Sequence, residues 1–234
     1  MEKKYNRRIV ETKRNHGIKL AVIQSLDGFN KPKEGFPTFA IPGKGKAANQ
    51  IACNVWELLK GKGVPVCYTH RSPQRCSAYV AHFCEQIPIQ FVVRRLALGS
   101  FVQRHPEQEG ERFEVPVIDI VPKEGKPTPF SLSDIQMNDM REVALKSFLI
   151  IEEEFKKSNV IVVDVHFEFG VDQWGKIVLM DPIDNKAWRL IGPCGRRLDG
   201  EYYQHIQKPS EEEMGSIKET YWKVVEITNG WHRK

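Results

Sequence analysis

Residues 87–100 read IPIQFVVRRLALGS. The apolar run through Phe91, Val92 and Val93 stops at two adjacent arginines, Arg94 and Arg95, and Gly99-Ser100 follows a few residues later. β-branched and aromatic residues predict a strand over 90–97. Arginine carries a planar fork of donors that matches phosphate and carboxylate. Glycine lets a ligand come close to the backbone, and serine adds a hydroxyl. Arg104 follows in SFVQRHP. Arg94, Arg95, Gly99, Ser100 and Arg104 thus form a candidate anion cradle. The alternative is a strand end with solvated arginines, since charge runs usually mark wet faces. This stretch alone leaves both open.

VIVVDVHFEFG (160–170) reads as a second strand. Residues two apart in a strand share a face, so Asp164, His166 and Glu168 line one side and Val163, Val165, Phe167 and Phe169 the other. The strand GKIVLMDPI (175–183) follows after the short link VDQW, which predicts a hairpin and brings in Asp181 and Asp184. Glu168 and Asp181 flank that turn and are expected to face each other. Two carboxylates in one place repel unless they share a proton or a cation, and hard oxygen ligands suit Mg²⁺. The alternative is a polar sheet face exposed to water. A third stretch, IPGKGKAANQI (41–51), sets Lys44 and Lys46 among glycines before a helix, where backbone N–H groups attract anions. It lacks the Gly-Lys-Ser/Thr of a phosphate-binding loop, so it reads equally as a basic loop.

The frame around these stretches is mixed. Strand-like sequence at 18–29 ends in a turn at Asp27-Gly28, and 31–46 reads as loop. Helical spacing of apolar residues runs from Ala47 to Leu59, over 139–158 and over 211–228, the last with Ser210 as N-cap. Residues 64–70 read as strand, and 104–134 as irregular chain with one strand at EVPVIDIV. The fold class is α+β, with an expected cleft between two lobes: an N-terminal lobe over 1–90, mainly antiparallel sheet plus helix, and a C-terminal lobe over 91–234. The 234 residues, 41% hydrophobic and 28% charged with a net charge of +5, describe a soluble globular protein with mild preference for anions. No apolar run reaches the roughly 18 residues of a membrane span. The basic N-terminus lacks the apolar core of a secretory signal. Five cysteines without CxxC spacing predict reduced thiols and a cytoplasmic location. Scattered basic residues without an aromatic platform argue against nucleic acid.

Taken in order, IPGKGKAANQIACNVWELL, IPIQFVVRRLALGS, VVDVHFEFGVD and IVLMDPIDNKAWRL resemble the signature segments of the SAICAR synthetase (phosphoribosylaminoimidazole-succinocarboxamide synthase) family. The resemblance covers roughly residues 20–106 and 140–200. It implies two α+β lobes with ATP between them and an ATP-dependent amide ligase of purine biosynthesis. Such a ligase phosphorylates the carboxylate of carboxyaminoimidazole ribonucleotide and joins L-aspartate to it. It also implies that Arg94, Gly99, Ser100, Arg104, Arg189 and Lys44 meet the substrates and that Gln90 and Val92 lie along the adenine. Glu168 and Asp181 would hold Mg²⁺ on the ATP phosphates, and Asp27, which would match an acid after the early strand, would be catalytic together with Arg94, Ser100 and His166. His166 stands where the family has a lysine, and Asn6-Arg7-Arg8 stands where the family has a glycine-lysine loop. The stretches KEGKPTPF and EYYQHIQ also depart from the family pattern. A ligase for a different nucleotide or amine, and a non-catalytic homologue that binds nucleotides or a partner protein, stay open alongside. So does homo-oligomerisation.

Overall fold

The computed structural model describes residues 7–15, 17–29, 39–123, 132–200, 203, 206 and 209–232. Asn6 and most of KEGKPTPF and EYYQHIQ fall outside them. The first sheet takes β1 (Arg7–Asn15), β2 (Ile18–Ser25), β3 (Tyr68–Arg71) and β4 (Ala78–His82), in the antiparallel order β1-β2-β4-β3. Helix α1 (Lys44–Gly61) enters between β2 and β3. The second sheet takes β5 (Cys84–Leu96), β6 (Arg112–Pro122), β7 (Ile161–Asp172) and β8 (Ile177–Leu179), in the order β6-β5-β7-β8. β9 (Trp188–Ile191) pairs the N-terminal half of β7, beside the length that β8 occupies. Helices α2 (Asp134–Lys156) and α3 (Glu211–Asn229) complete the described elements.

The chain leaves the first sheet at His82 and enters the second at Cys84, so residues 84–90 already belong to the second sheet. The two sheets are stitched by the Val66–Leu179 bridge and by the Phe83 N–H donating to the Lys19 carbonyl at 2.9 Å. One apolar core runs through both: Ile51 and Trp56 of α1, Tyr79 of β4, Phe91 of β5, Phe148 and Phe155 of α2, Phe167 of β7 and Tyr221 of α3. Phe155 stands edge-on to Trp188 and Trp231 at 5.1 and 5.0 Å, a favoured aromatic geometry.

Three strands go beyond the sequence expectation, and each has a physical reason. β1, RRIVETKRN, is charged as edge strands tend to be. β4 and β9 are only five and four residues long. β3 begins at Tyr68 rather than Val64, because Pro65 has no N–H to donate. The strand expected at EVPVIDIV is β6, extended at both ends. Helix α2 starts at Asp134, five residues before the expected 139. Ser133 and Gln136 form a reciprocal capping box there, and Ser210 with Glu213 repeats it on α3.

Candidate functional site

Register builds the site. Across β5 and β7, Gln90 pairs Glu168, Val92 pairs His166 and Arg94 pairs Asp164. Across β5 and β6, Val92 pairs Asp119, and across β7 and β9, Asp164 pairs Arg189. Opposed residues of antiparallel strands share a face. All of these side chains therefore stand on one side of the sheet, while Phe91, Val93, Val165 and Phe167 are buried on the other. The same alternation separates the two arginines. Arg95 points to the α2 side, where Nε and Nη2 grip Glu152 at 2.6 Å each and Nη1 donates to the carbonyls of Phe113 and Glu114. Arg95 is a helix clamp, and only Arg94 belongs to the polar face.

At one end of that face, buried Asp164 accepts from two arginines. Arg94 Nη1 donates to it at 2.7 Å, and Arg189 donates to both of its oxygens. Arg94 also donates through Nε to Asp119 (3.0 Å) and through Nη2 to the Ser100 hydroxyl (3.2 Å). Its fork is thus committed on three sides to protein groups. Arg104 reaches the same Asp119 oxygen at 2.6 Å and lies more than half exposed. Gly99 has φ +64, and a Cβ there would overlap the Arg189 guanidinium. The close approach that glycine permits is used first by the protein's own arginine. His166, half-buried, keeps Nε2 3.9 Å from Asp164, and its backbone N–H donates to the Ala187 carbonyl at 2.6 Å.

At the other end, Glu168 receives Lys123 Nζ at 2.5 Å, Gln86 Nε2 at 2.7 Å and Gln90 Nε2 at 3.3 Å. The hairpin register sets Glu168 opposite Met180, whose N–H donates to the Glu168 carbonyl at 3.0 Å. The expectation that Glu168 faces Asp181 directly is corrected by that one residue. Asp181 follows past the end of β8, and its carboxylate meets Arg7 at 3.0 Å. Among the described residues, no three His, Cys, Asp or Glu side chains gather as a ready-made metal cage. Mg²⁺ commonly takes one or two carboxylates and completes its shell with phosphate and water. Glu168 and Asp181 fit that use, because each is a hard oxygen donor that already draws a cation.

The third predicted stretch folds onto itself. Asp27 accepts from the Gly43 N–H at 3.2 Å and the Gly45 N–H at 2.7 Å, so the entry to α1 holds the chain's own carboxylate. This supplies the anion favoured at a helix N-terminus, where the local N-cap, Gly43, offers no side chain. Lys44 is buried, with Nζ 5.4 Å from the Tyr221 ring centre. Burial pulls its ammonium down to about 8. The Asp184 carboxylate opposes that shift, Arg7 reinforces it, and Asp27 opposes it.

Sequence reasoning missed Arg7, Asp119, Lys123 and the reach of Asp184. Asp119 had a signal, a lone acid inside the apolar run VPVIDIV. Arg7 had none, since its partners lie at the far end of the chain.

Arginines at one end of a sheet face and acids at the other mark a candidate site for anionic ligands. Known proteins share the frame that carries these residues. The crystal structure of phosphoribosylaminoimidazole-succinocarboxamide synthase from Ehrlichia chaffeensis matches with a TM-score of 0.81 at 22% identity, covering 98% of each chain. A SAICAR synthetase in complex with ADP matches with a TM-score of 0.73 at 22% identity, over 90% of this chain and 97% of its own. The phosphoribosylaminoimidazole-succinocarboxamide synthase of Chloroflexus aurantiacus is 30% identical over 230 residues, 91% of this chain and 89% of the relative. A family model described as SAICAR synthetase matches residues 30–226. The chain belongs to the SAICAR synthetase family.

Proposed function

We propose that the protein joins L-aspartate to the carboxylate of carboxyaminoimidazole ribonucleotide at the expense of ATP, as a cytoplasmic enzyme of purine biosynthesis. The observation that carries this reading is family membership across 30–226 together with the arginine-lined face of β5, β7 and β9. The ADP-bound relative supports a nucleotide site of the same kind here.

The chemistry runs in two balanced steps. A ribonucleotide carboxylate oxygen attacks the γ-phosphorus of ATP and ADP leaves. The aspartate nitrogen then attacks the acyl carbon, phosphate leaves, and the nitrogen gives up its proton as the amide forms. Each step moves negative charge between oxygens, so the protein's work is to position groups and neutralise charge. Arg104 and Arg189 line the end of the face suited to the ribonucleotide phosphate. Arg94 is best read as the post that holds Ser100 and Asp119 for them. Glu168 and Asp181 would hold Mg²⁺, which supplies charge neutralisation on the ATP phosphates when bound. Lys44, buried beside Asp27 and Asp184, keeps a positive charge near that end at neutral pH.

The test is direct. The full chain is incubated with ATP, Mg²⁺, aspartate and the carboxy-ribonucleotide, and succinocarboxamide product and ADP are followed together. Equal amounts of both are expected. ADP without amide product would favour the second reading, a ligase for another amine. His166 in place of the family's lysine, and Arg7 on Asp181, are the features that favour it.

A further inference from the structure

Arg7 lies before the stretch that the family model matches, yet its guanidinium is buried against the acids beyond β8. Nη1 donates to Asp181 Oδ2 at 3.0 Å. Nη2 donates to Asp184 Oδ2 at 2.7 Å and to the Pro182 carbonyl at 3.3 Å. The two acids are not equivalent. The Asp184 side chain is 4% exposed and that of Asp181 is 28% exposed. Asp184 is further fixed by the Lys186 N–H, which donates to Oδ1 at 2.9 Å. The fork therefore has one buried anchor and one arm on a carboxylate that solvent can reach.

A guanidinium is a fixed charge that cannot be deprotonated in a protein. At Asp181 it occupies the electrostatic position that a divalent cation would take. A cation entering there must either share the carboxylate with Arg7 or draw it away. Like charges at that distance oppose each other, and the anchor at Asp184 lets the arm let go without stranding the guanidinium.

We infer that Arg7 is an internal competitor for divalent cation at Asp181, holding that carboxylate until a metal displaces it while remaining on Asp184. The N-terminal strand β1 is thereby coupled to cation loading. This rests on the reading of Asp181 as a metal ligand, and the two can fail separately.

The probe is Mn²⁺ alone, titrated into the full-length protein with free Mn²⁺ followed by electron paramagnetic resonance. Arg7→Met removes the charge and keeps the length, and Mn²⁺ affinity should rise about tenfold or more. Asp181→Asn should weaken Mn²⁺ binding in the wild type and erase the gain in the Arg7→Met background. Arg7→Lys provides the test should Arg7→Met fold poorly. A lone ammonium stays with the buried Asp184 and vacates Asp181, so affinity should again rise, by less. Equal Mn²⁺ affinity in wild type, Arg7→Met and Arg7→Lys would overturn the competition while leaving the metal assignment standing. Tight Mn²⁺ binding that Asp181→Asn does not alter would overturn the metal assignment itself, and the competition with it.

Discussion

The two ends of β7 carry acids under different regimes. At the N-terminal end, Asp164 is sealed and shared by two arginines from neighbouring strands of its own sheet, Arg94 of β5 and Arg189 of β9. At the C-terminal end, Glu168 takes its cation from Lys123, past the end of β6, and Asp181 beyond β8 takes its cation from Arg7 on the other sheet. The first arrangement is a pillar: removing one member leaves buried charge uncompensated. The second is a set of borrowed counter-charges on two acids of unequal access, the Glu168 side chain 8% exposed and that of Asp181 28% exposed. An anion-binding surface needs the pillar so that its arginines hold their geometry before the ligand arrives. A cation site needs acids whose present partners can be exchanged.

The largest effect should come from breaking the pillar. Asp164→Asn strips the shared carboxylate from two buried arginines, and losing one partner of a buried pair costs about 3–5 kcal/mol. Urea denaturation should show a loss of that size. Asp181→Asn, at the more exposed end, should cost clearly less. Equal losses would mean that the two ends do not differ as described.

The next effect concerns Lys44. Its folded value of about 8 lies below the ordinary 10.5. Below pH 8 the folded and unfolded chains both carry the proton, and the burial penalty is full. Between 8 and 10.5 the folded chain releases the proton while the unfolded chain keeps it, so stability rises with pH. Above 10.5 the penalty is gone. The full swing is on the order of 3 kcal/mol. Stability measured across that window should climb more steeply in wild type than in Lys44→Met, because every other titrating group is common to both. Parallel curves would show that Lys44 does not carry the penalty.

Gly99→Ala should follow. A left-handed backbone costs a non-glycine residue about 1–2 kcal/mol, and the new Cβ would push Arg189 from its place. Affinity for the ribonucleotide should drop about tenfold, since small displacements at a positioned group are amplified. Calorimetry showing full affinity would remove Arg189 from the substrate site.

Much of this was legible from residue pattern. The alternation in VVDVHFEFG correctly separated the apolar row from Asp164, His166 and Glu168, because a face-specific period of two survives any tertiary context. It could not show that Asp164 would be buried deepest, since burial there depends on Arg94 and Arg189 arriving from other strands. The glycine at 99 was readable as a point of close approach, but not that the approaching group would be Arg189. The adjacent arginines Arg94 and Arg95 looked like one cradle and proved to serve opposite faces, a consequence of strand alternation that the pattern already contained. The capping box at Ser133 and Gln136 was equally readable, though helical spacing alone places the start of α2 later. Arg7 is the opposite case. Its two partners lie more than 170 residues away, so no local signal can announce the contact.

The smallest stability effect should come from Arg104→Gln, and its value lies in the contrast with Arg94→Lys. The Arg104 side chain is 54% exposed and shares an Asp119 oxygen with Arg94 Nε. An exposed pair of this kind contributes at most about 1 kcal/mol, and Asp119 keeps Arg94 when Arg104 is gone. Denaturation of Arg104→Gln should therefore match wild type within about 1 kcal/mol. Ribonucleotide affinity should nevertheless fall, and its dependence on salt should weaken, because a solvent-facing guanidinium acts on an incoming phosphate through a screened field. Arg94→Lys should behave otherwise. It keeps the charge but cannot span Asp119, Asp164 and Ser100 together, so stability and affinity should fall in step. If Arg104→Gln loses as much stability as Arg94→Lys, Arg104 belongs to the pillar. If it loses neither stability nor affinity, the phosphate does not sit at this end of the face.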